Sequence, residues 1–268
     1  MPDAIDIARV EARLVAPVIG PVVWAREVGS TNDLIAMRAR GGAPEGLVIG
    51  ADFQTQGRGR RGRVWAAAAG DAVLFSVLLR PARTGGEVGL LPIVAAVGVA
   101  EGLSALGVPV GLVWPNDVSV DGKKLAGILC ELASAGQQSE WAAVGVGINV
   151  RTTPALAGGR WQPTSVDEVL GAAVPREEVL VAALRGLGEW FGRWYADGDA
   201  DIIAAYGRRD ALVGCAVTVS VGDATLAGVA DGLHADGALR VRTTHGTVVA
   251  VTSGEVTGVD ASSGYRAL

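Results

Sequence analysis

From Val88 to Val113 the chain carries one charged side chain, Glu101, in the run V-G-L-L-P-I-V-A-A-V-G-V-A-E-G-L-S-A-L-G-V-P-V-G-L-V. The apolar residues recur at helical spacing, and Glu101 and repeated glycines interrupt them. The run therefore reads as a buried amphipathic helix and not as a membrane span. A chain of 268 residues is long enough to bury such a helix in one large domain, or in one domain with a small companion. Half of its residues are hydrophobic and few are aromatic, which describes an Ala/Val/Gly-rich globular protein rather than a disordered one.

Val22 to Glu27 reads as a strand, and Ser30 or Thr31 then caps a helix through Arg40 that stops at Gly41-Gly42. Leu47 to Phe53 and Ala72 to Leu79 read as further strands, with Pro81 ending the second. After the long helix come a strand at Gly111 to Trp114 and a hairpin of Val118 to Val120 and Leu125 to Leu132 about Asp121-Gly122. Trp141 to Val150 is the next strand, Arg151 to Pro163 is loop-like, and helices follow from Pro175 to about Tyr195 and over about Asp201 to Arg209. From Val213 the pattern changes to short alternating runs with Asp-Gly and His-Gly turns, the mark of a small all-β module.

The strand at Leu47 to Phe53 runs into G-R-G-R-R-G-R at Gly57 to Arg63. Its glycines satisfy G-x-G-x-x-G, but no helix opens at the third glycine and Asp71 comes too early to hold a ribose, so a dinucleotide site is set aside. The net charge of −5 argues against generic nucleic-acid binding and makes the four arginines a local positive patch. Clustered arginines repel one another and glycines make ordering costly, whereas an anion offers charge-assisted contacts. The pattern predicts a loop that is mobile when empty and closes over phosphate.

Cys130 and Cys215 lie far apart and form no C-x-x-C pair, consistent with buried free thiols. The start, M-P-D-A-I-D-I-A-R-V, has neither a basic nor an apolar signal region, so a cytoplasmic protein is expected.

Five motifs occur in order: S-T-N at Ser30 to Asn32, the arginine loop, W-P-N-D at Trp114 to Asp117, K-L-A-G-I-L at Lys124 to Leu129, and G-V-G-I-N-V at Gly145 to Val150. This set closely resembles the biotin protein ligases, densely over Val22 to Val150 and by layout elsewhere. The resemblance implies an α+β fold. Residues 1–211 would form a catalytic domain like that of class II aminoacyl-tRNA synthetases, and 212–268 a small SH3-like β-barrel. It implies that biotin and ATP form biotinyl-5′-AMP, which a lysine of a carboxylase carrier domain then attacks. Mg²⁺ would be bound chiefly through ATP phosphates and water, since no carboxylate cluster supplies a protein cage. A lipoate–protein ligase of related fold is the alternative. With about twenty residues before Val22, an N-terminal DNA-binding domain is not expected, and neither DNA nor a membrane is an expected partner.

By resemblance Ser30, Thr31, Asn32 and Gln54 border the ureido ring of biotin, although Ser30 alone reads as a plain helix cap. Gly57 and Gly59 admit close backbone approach, Arg58 and Arg60 meet the phosphate and activated carboxyl, and Arg61 and Arg63 reach the outer phosphates or solvent. Trp65 offers the ligand a flat face or serves the core. Lys124 would be the central catalytic residue, with Arg60 beside it, and Asp117 would orient groups for the second step or attract Mg²⁺ held by ATP. Asn116 contacts ATP or only shapes its turn, and Asn149 meets adenine, with Gly127, Gly145 and Gly147 leaving room. Val113 stands where the family usually has a basic residue, which removes one positive charge near ATP.

Overall fold

Twelve strands pair into two sheets in the computed structural model, which describes residues 4–15, 18–81, 87–135, 138–152 and 162–260. The larger sheet contains β1 (Val22–Val28), β2 (Val48–Gln54), β3 (Ala72–Leu79), β4 (Gly111–Val113), β5 (Asp117–Val120), β6 (Lys123–Ala135) and β7 (Gln138–Asn149). Their order across it is β1-β2-β3-β7-β6-β5-β4. Only β1 and β2 are parallel, joined through helix α2 (Thr31–Arg40), and the remaining neighbours are antiparallel. The central strand β3 is rich in valine and leucine, and β7 carries Val144, Val146 and Ile148, because their far face is covered by helices.

Helix α3 (Leu91–Ala105) is the apolar run identified in the sequence, and Val88 to Leu90 belong to a 3-10 turn before it. The amphipathic reading needs correction. Eleven of its fifteen residues are buried, because α3 lies between β4, β5 and β6 and two further helices, α5 (Arg176–Tyr195) and α6 (Asp199–Arg209). A helix covered on both sides needs no polar face. Its glycines serve the contact with α5. A Cβ on Gly102 would lie 2.2 Å from the Ala182 carbonyl oxygen, and one on Gly186 of α5 would lie 2.1 Å from that of Gly98. Glu101 reaches outward to Arg209 at 3.0 Å. Val88–Ala105 has the length and hydropathy of a membrane span, and here it is core.

Two short helices escaped the sequence reading: α1 (Ile7–Arg13) and α4 (Val166–Leu170). Each is held by an N-cap side chain, Asp6 and Ser165 respectively. Residues 153–161 of the expected loop lie outside the described residues, but Pro163 pairs with Lys124 as an isolated bridge.

The second sheet comprises β8 (Ala216–Val221), β9 (Ala224–Leu233), β10 (Leu239–Arg242), β11 (Val248–Val251) and β12 (Glu255–Asp260), ordered β11-β10-β9-β8-β12. All its pairs are antiparallel, and the alternating valines of β8 turn Val217 and Val219 to the buried face. Trp114 Nε1 donates to Gly237 O at 3.0 Å, so the W-P-N-D segment binds the two sheets together.

Candidate active site

Register decides which residues share a face. Ser76 pairs with Gly145 and Gly145 with Leu129, and Leu74, Gly147, Gly127 and Asp117 form the adjoining row. Gly145 and Gly147 therefore open a floor on the sheet face away from α3. A β-bulge then intervenes: Val118 pairs with Ala126 but Ser119 with Lys124, so Leu125 is the extra residue. The bulge turns Lys124 onto the same face as Gly127, where strict alternation would put them on opposite faces. A cavity of about 560 Å³ stands on this floor.

One end of the cavity is polar and buried. Gln54 Oε1 accepts hydrogen bonds from the Thr31 amide at 2.8 Å and the Thr31 hydroxyl at 3.1 Å. Asn32 Nδ2 donates to Glu131 Oε2 at 2.7 Å and to Leu129 O at 3.2 Å. Ser76 Oγ lies 2.6 Å from Asn32 Oδ1 and 2.7 Å from Thr31 Oγ1. Buried polar groups cost free energy unless paired, so this network holds Thr31 and Asn32 in fixed orientations. Ser30 occupies the N-cap position of α2, yet its side chain makes no capping bond and lines the cavity. A Cβ on Gly145 would come within 2.4 Å of Asn32 Oδ1. The glycine there makes room for Asn32 itself, and the expected room for a ligand is correspondingly smaller.

The other end carries charge. Lys124 Nζ donates to Asp117 Oδ1 at 2.7 Å, and both side chains are largely covered. The Lys124 backbone is fastened on its open side: its amide donates to Gln162 O and its carbonyl accepts from Thr164 N. Asn149 donates Nδ2 to Thr164 O at 3.0 Å and to Lys124 O at 3.4 Å, which spends both amide protons on the scaffold. Asn116 does more than shape its turn. Its Nδ2 donates to Ile128 O at 2.7 Å while its Oδ1 accepts from Arg60 Nη1 at 3.3 Å. Val113 pairs with Asp117 in the sheet and is buried.

The arginine segment forms a small antiparallel lid, with Arg58 bridged to Val64, Gly59 N donating to Arg63 O, and Trp65 N to Gly57 O. Arg61 and Gly62 adopt left-handed backbone angles at its tip. The expected self-repulsion is answered by acids from three directions. Arg58 makes a bidentate pair with Asp33 and also reaches Glu131. These acids raise the pKa of its guanidinium, the Asp33 hydrogen bonds first, and Arg58 in turn lowers that of Asp33. Arg63 Nη1 meets Glu255 Oε1 at 2.7 Å, and Arg61 Nη1 lies 3.6 Å from Glu255 Oε2 and 3.4 Å from Ser220 Oγ. Arg61 does not line the cavity, nor does Gly57, whose missing Cβ would collide with Trp65 O. Arg60 points inward. Burial lowers its guanidinium pKa, while Asp117 and Glu255 oppose that shift.

Trp65 lies over the floor: Cβ atoms on Gly147 and Gly127 would meet its ring at 2.5 and 2.9 Å. Lys124 Nζ is 5.7 Å from its ring centroid, and its Nε1 is buried with no partner among the described residues. The two glycines thus accept an indole, and the cavity borders it.

Every residue expected to bind a substrate or take part in catalysis, apart from Gly57 and Arg61, lines this cavity. Four contributors were missed. Ser76 was detectable as the single polar residue in A-V-L-F-S-V-L-L. Asp33 and Glu131 sat beside recognised motifs, but Glu255 lies far along the chain and had no local signal.

Residues 25–149 match the biotin/lipoate A/B protein ligase family. Over 237 residues the chain is 35% identical to biotin–[acetyl-CoA-carboxylase] ligase of Mycobacterium tuberculosis, with 86% of each chain covered. It is 29% identical over 228 residues to the bifunctional ligase/repressor BirA of Bacillus subtilis, covering 84% of this chain and 70% of that one. Its fold is similar to the structure of biotin protein ligase from Aquifex aeolicus in complex with biotin and ATP, with a TM-score of 0.73 and 29% identity over 88% of this chain and 97% of that one.

Proposed function

Because the chain belongs to the biotin/lipoate A/B protein ligase family, we propose that it is an ATP-dependent biotin ligase acting on the carrier domain of a carboxylase. One observation carries the reading: a buried polar nest and a fixed ammonium share one sheet face, at opposite ends of a single cavity. Biotin has the same division, a ureido ring at one end and a carboxylate at the other. The ring meets Ser30, Thr31, Asn32 and Gln54, whose donors and acceptors match an N–H/C=O/N–H edge. The carboxylate meets Lys124 and Arg60.

In the first step a carboxylate oxygen attacks the α-phosphorus of ATP. The new C–O–P linkage forms as the bond to the β-phosphate oxygen breaks, and pyrophosphate leaves. Both reactants are anionic. A preorganised ammonium therefore offsets repulsion and stabilises the developing charge, an effect of about 10²–10³ in rate. Asp117 accepts a hydrogen bond from Lys124 and so orients it. Arg60 holds the adenylate, Arg58 reaches it on release from Asp33, and Arg63 with Arg61 turns from Glu255 to the outer phosphates. Gly59 and Gly57 let the lid close, Trp65 gives a flat wall, and Gly127 and Gly147 keep the floor low. Asn116 supports Arg60, and Asn149 offers adenine its remaining Oδ1.

No group of three or more potential metal ligands occurs among the described residues. In this reading Mg²⁺ arrives on ATP phosphates and is held otherwise by water. The antiparallel sheet from Ala216 to Asp260 supports an SH3-like barrel in a domain of residues 212–268, after a class II synthetase-like domain of residues 1–211. A cytoplasmic location accords with Val88–Ala105 serving as core.

Incubating the protein with biotin, labelled ATP and a carrier domain tests the proposal. Biotin-dependent pyrophosphate release and a biotin-sized mass increase of the carrier are expected. Activity with lipoate alone would transfer the chain to the lipoate branch of the family, whose substrate has no ureido group to satisfy the polar nest.

A further inference from the structure

A second cavity of about 850 Å³ lies between the start of α3 and the turn from β9 to β10. It adjoins the first: Arg60, Trp114, Pro115, Asn116, Ile128 and Leu129 line both. Its middle is apolar, built from Leu90, Pro92 and Ile93. Its rim is polar, with His234 and Asp236 from the β9–β10 turn, Thr252 from the β11–β12 connection and Asp199 from α6. His234 Nδ1 lies 2.9 Å from Asp236 Oδ1, and the two side chains are 57% and 51% exposed. The Ala238 amide, and then His234, hold the Asp236 carboxyl below its ordinary pKa, so the rim carries negative charge at neutral pH.

These features match one kind of visitor. An acceptor lysine has an apolar four-carbon stem and a cationic head, and it projects from a protein too large to enter beneath the arginine lid. It needs a separate approach that starts at an anionic rim, passes apolar walls and ends at the activated carbonyl. We propose that the second cavity is the passage for the acceptor lysine, with the rim at His234, Asp236 and Thr252 facing the carrier domain. This rests on the ligase reading above. Where the two cavities adjoin, the deprotonated Nζ attacks the acyl carbon of biotinyl-AMP, the amide C–N bond forms, and the acyl C–O bond to phosphate breaks. AMP leaves with the bonding electron pair. The ammonium loses one proton before attack and the new nitrogen centre a second on collapse, both to water.

Two rim variants test the passage, Thr252→Trp to narrow it and Asp236→Lys to reverse its charge. Both positions are exposed, so the core is preserved. For each, biotin-dependent pyrophosphate release, trapping of biotinyl-AMP by hydroxylamine, and mass-detected biotinylation of an acetyl-CoA carboxylase carrier domain are measured. Carrier labelling should fall at least about tenfold, chiefly through a higher KM for the carrier, with Asp236→Lys more sensitive to salt. Pyrophosphate release and hydroxylamine trapping should stay at the parent level, because ATP, biotin and a small nucleophile do not use the rim. Carrier labelling at the parental rate in both variants overturns the passage. So does a parallel loss of pyrophosphate release and labelling, which would assign the cavity to adenylation. Absence of pyrophosphate release from the parent protein would instead sink the ligase reading.

Discussion

With Nζ 2.7 Å from Asp117 and its backbone hydrogen-bonded to Gln162 and Thr164, Lys124 presents its charge at a fixed point of the cavity. Replacing it with Met preserves the length of the side chain and removes only the charge. Adenylation in a single turnover should slow by about 10²–10³, and melting measured alongside reports the separate cost of leaving the largely covered Asp117 unpaired. Normal adenylation by a folded Lys124→Met protein would remove this lysine from the chemistry. Gly145 acts through space alone. A Cβ there would press on Asn32 and break its bonds to Glu131 and Ser76, at a cost of about 1–3 kcal/mol for the orphaned groups. Gly145→Ala should therefore weaken biotin binding by about fivefold to a hundredfold, as titration calorimetry would measure. Unchanged affinity would mean that Asn32 does not face the ligand.

At the level of elements, the arginine lid belongs as much to the second sheet as to the first. Glu255, on β12, meets both Arg63 and Arg61, so lid and sheet share one carboxylate. These groups are partly exposed, and such pairs contribute about 0–1 kcal/mol. Glu255→Gln should leave global stability nearly unchanged and raise the open fraction of the lid by up to about fivefold. Trypsin cleavage after Arg61 and Arg63 reports that fraction, and equal cleavage of parent and variant would show that Glu255 does not restrain the lid. Biotin with ATP should suppress cleavage in both. The lid was legible as an element because its glycines and arginines are adjacent in sequence. Its counter-charges were not, since Asp33, Glu131 and Glu255 come from a helix and two different strands.

At the scale of the whole molecule, the passage from α6 into β8 turns on a buried acid. Asp210 is 3% exposed, its backbone forms an isolated parallel bridge with Leu112 in which the Ala211 amide donates to Leu112 O, and Oδ1 accepts from the Leu212 amide while Oδ2 has no partner among the described residues. Burial raises its pKa to about 6 against two backbone hydrogen bonds that lower it. The sign follows from linkage. Between the ordinary carboxylate pKa near 4 and about 6 the folded state binds the proton more tightly than the unfolded state. This group's contribution to stability is therefore favourable at low pH, declines as pH rises through that window, and is level above it. Its total is on the order of 2–3 kcal/mol. In Asp210→Asn that component disappears, so urea titrations from pH 4 to 7 should give a parent-minus-variant difference that changes with this sign. A difference independent of pH would assign the titration elsewhere.

Local covalent pattern was enough to determine much of this protein. Valine alternation specifies strands, Asp-Gly specifies the β5–β6 turn, and five motifs specify the family, since each depends on residues that are neighbours in the chain. The same was true of the Asp117–Lys124 pair at the charged end of the site, because Asp117 to Leu129 is one strand pair about one turn. What the tertiary structure alone decided was which residues meet and which way they face. The bulge at Leu125, read from pairing, puts Lys124 beside Gly127. Strand register sets Ser76 against Gly145 and beneath Asn32, and packing between two helices makes α3 apolar on nearly every side. The β3–β7 register and the inter-element ion pairs arise from contacts between segments distant in sequence, and the bulge within the β5–β6 hairpin has no residue signature of its own, so no local pattern encodes them.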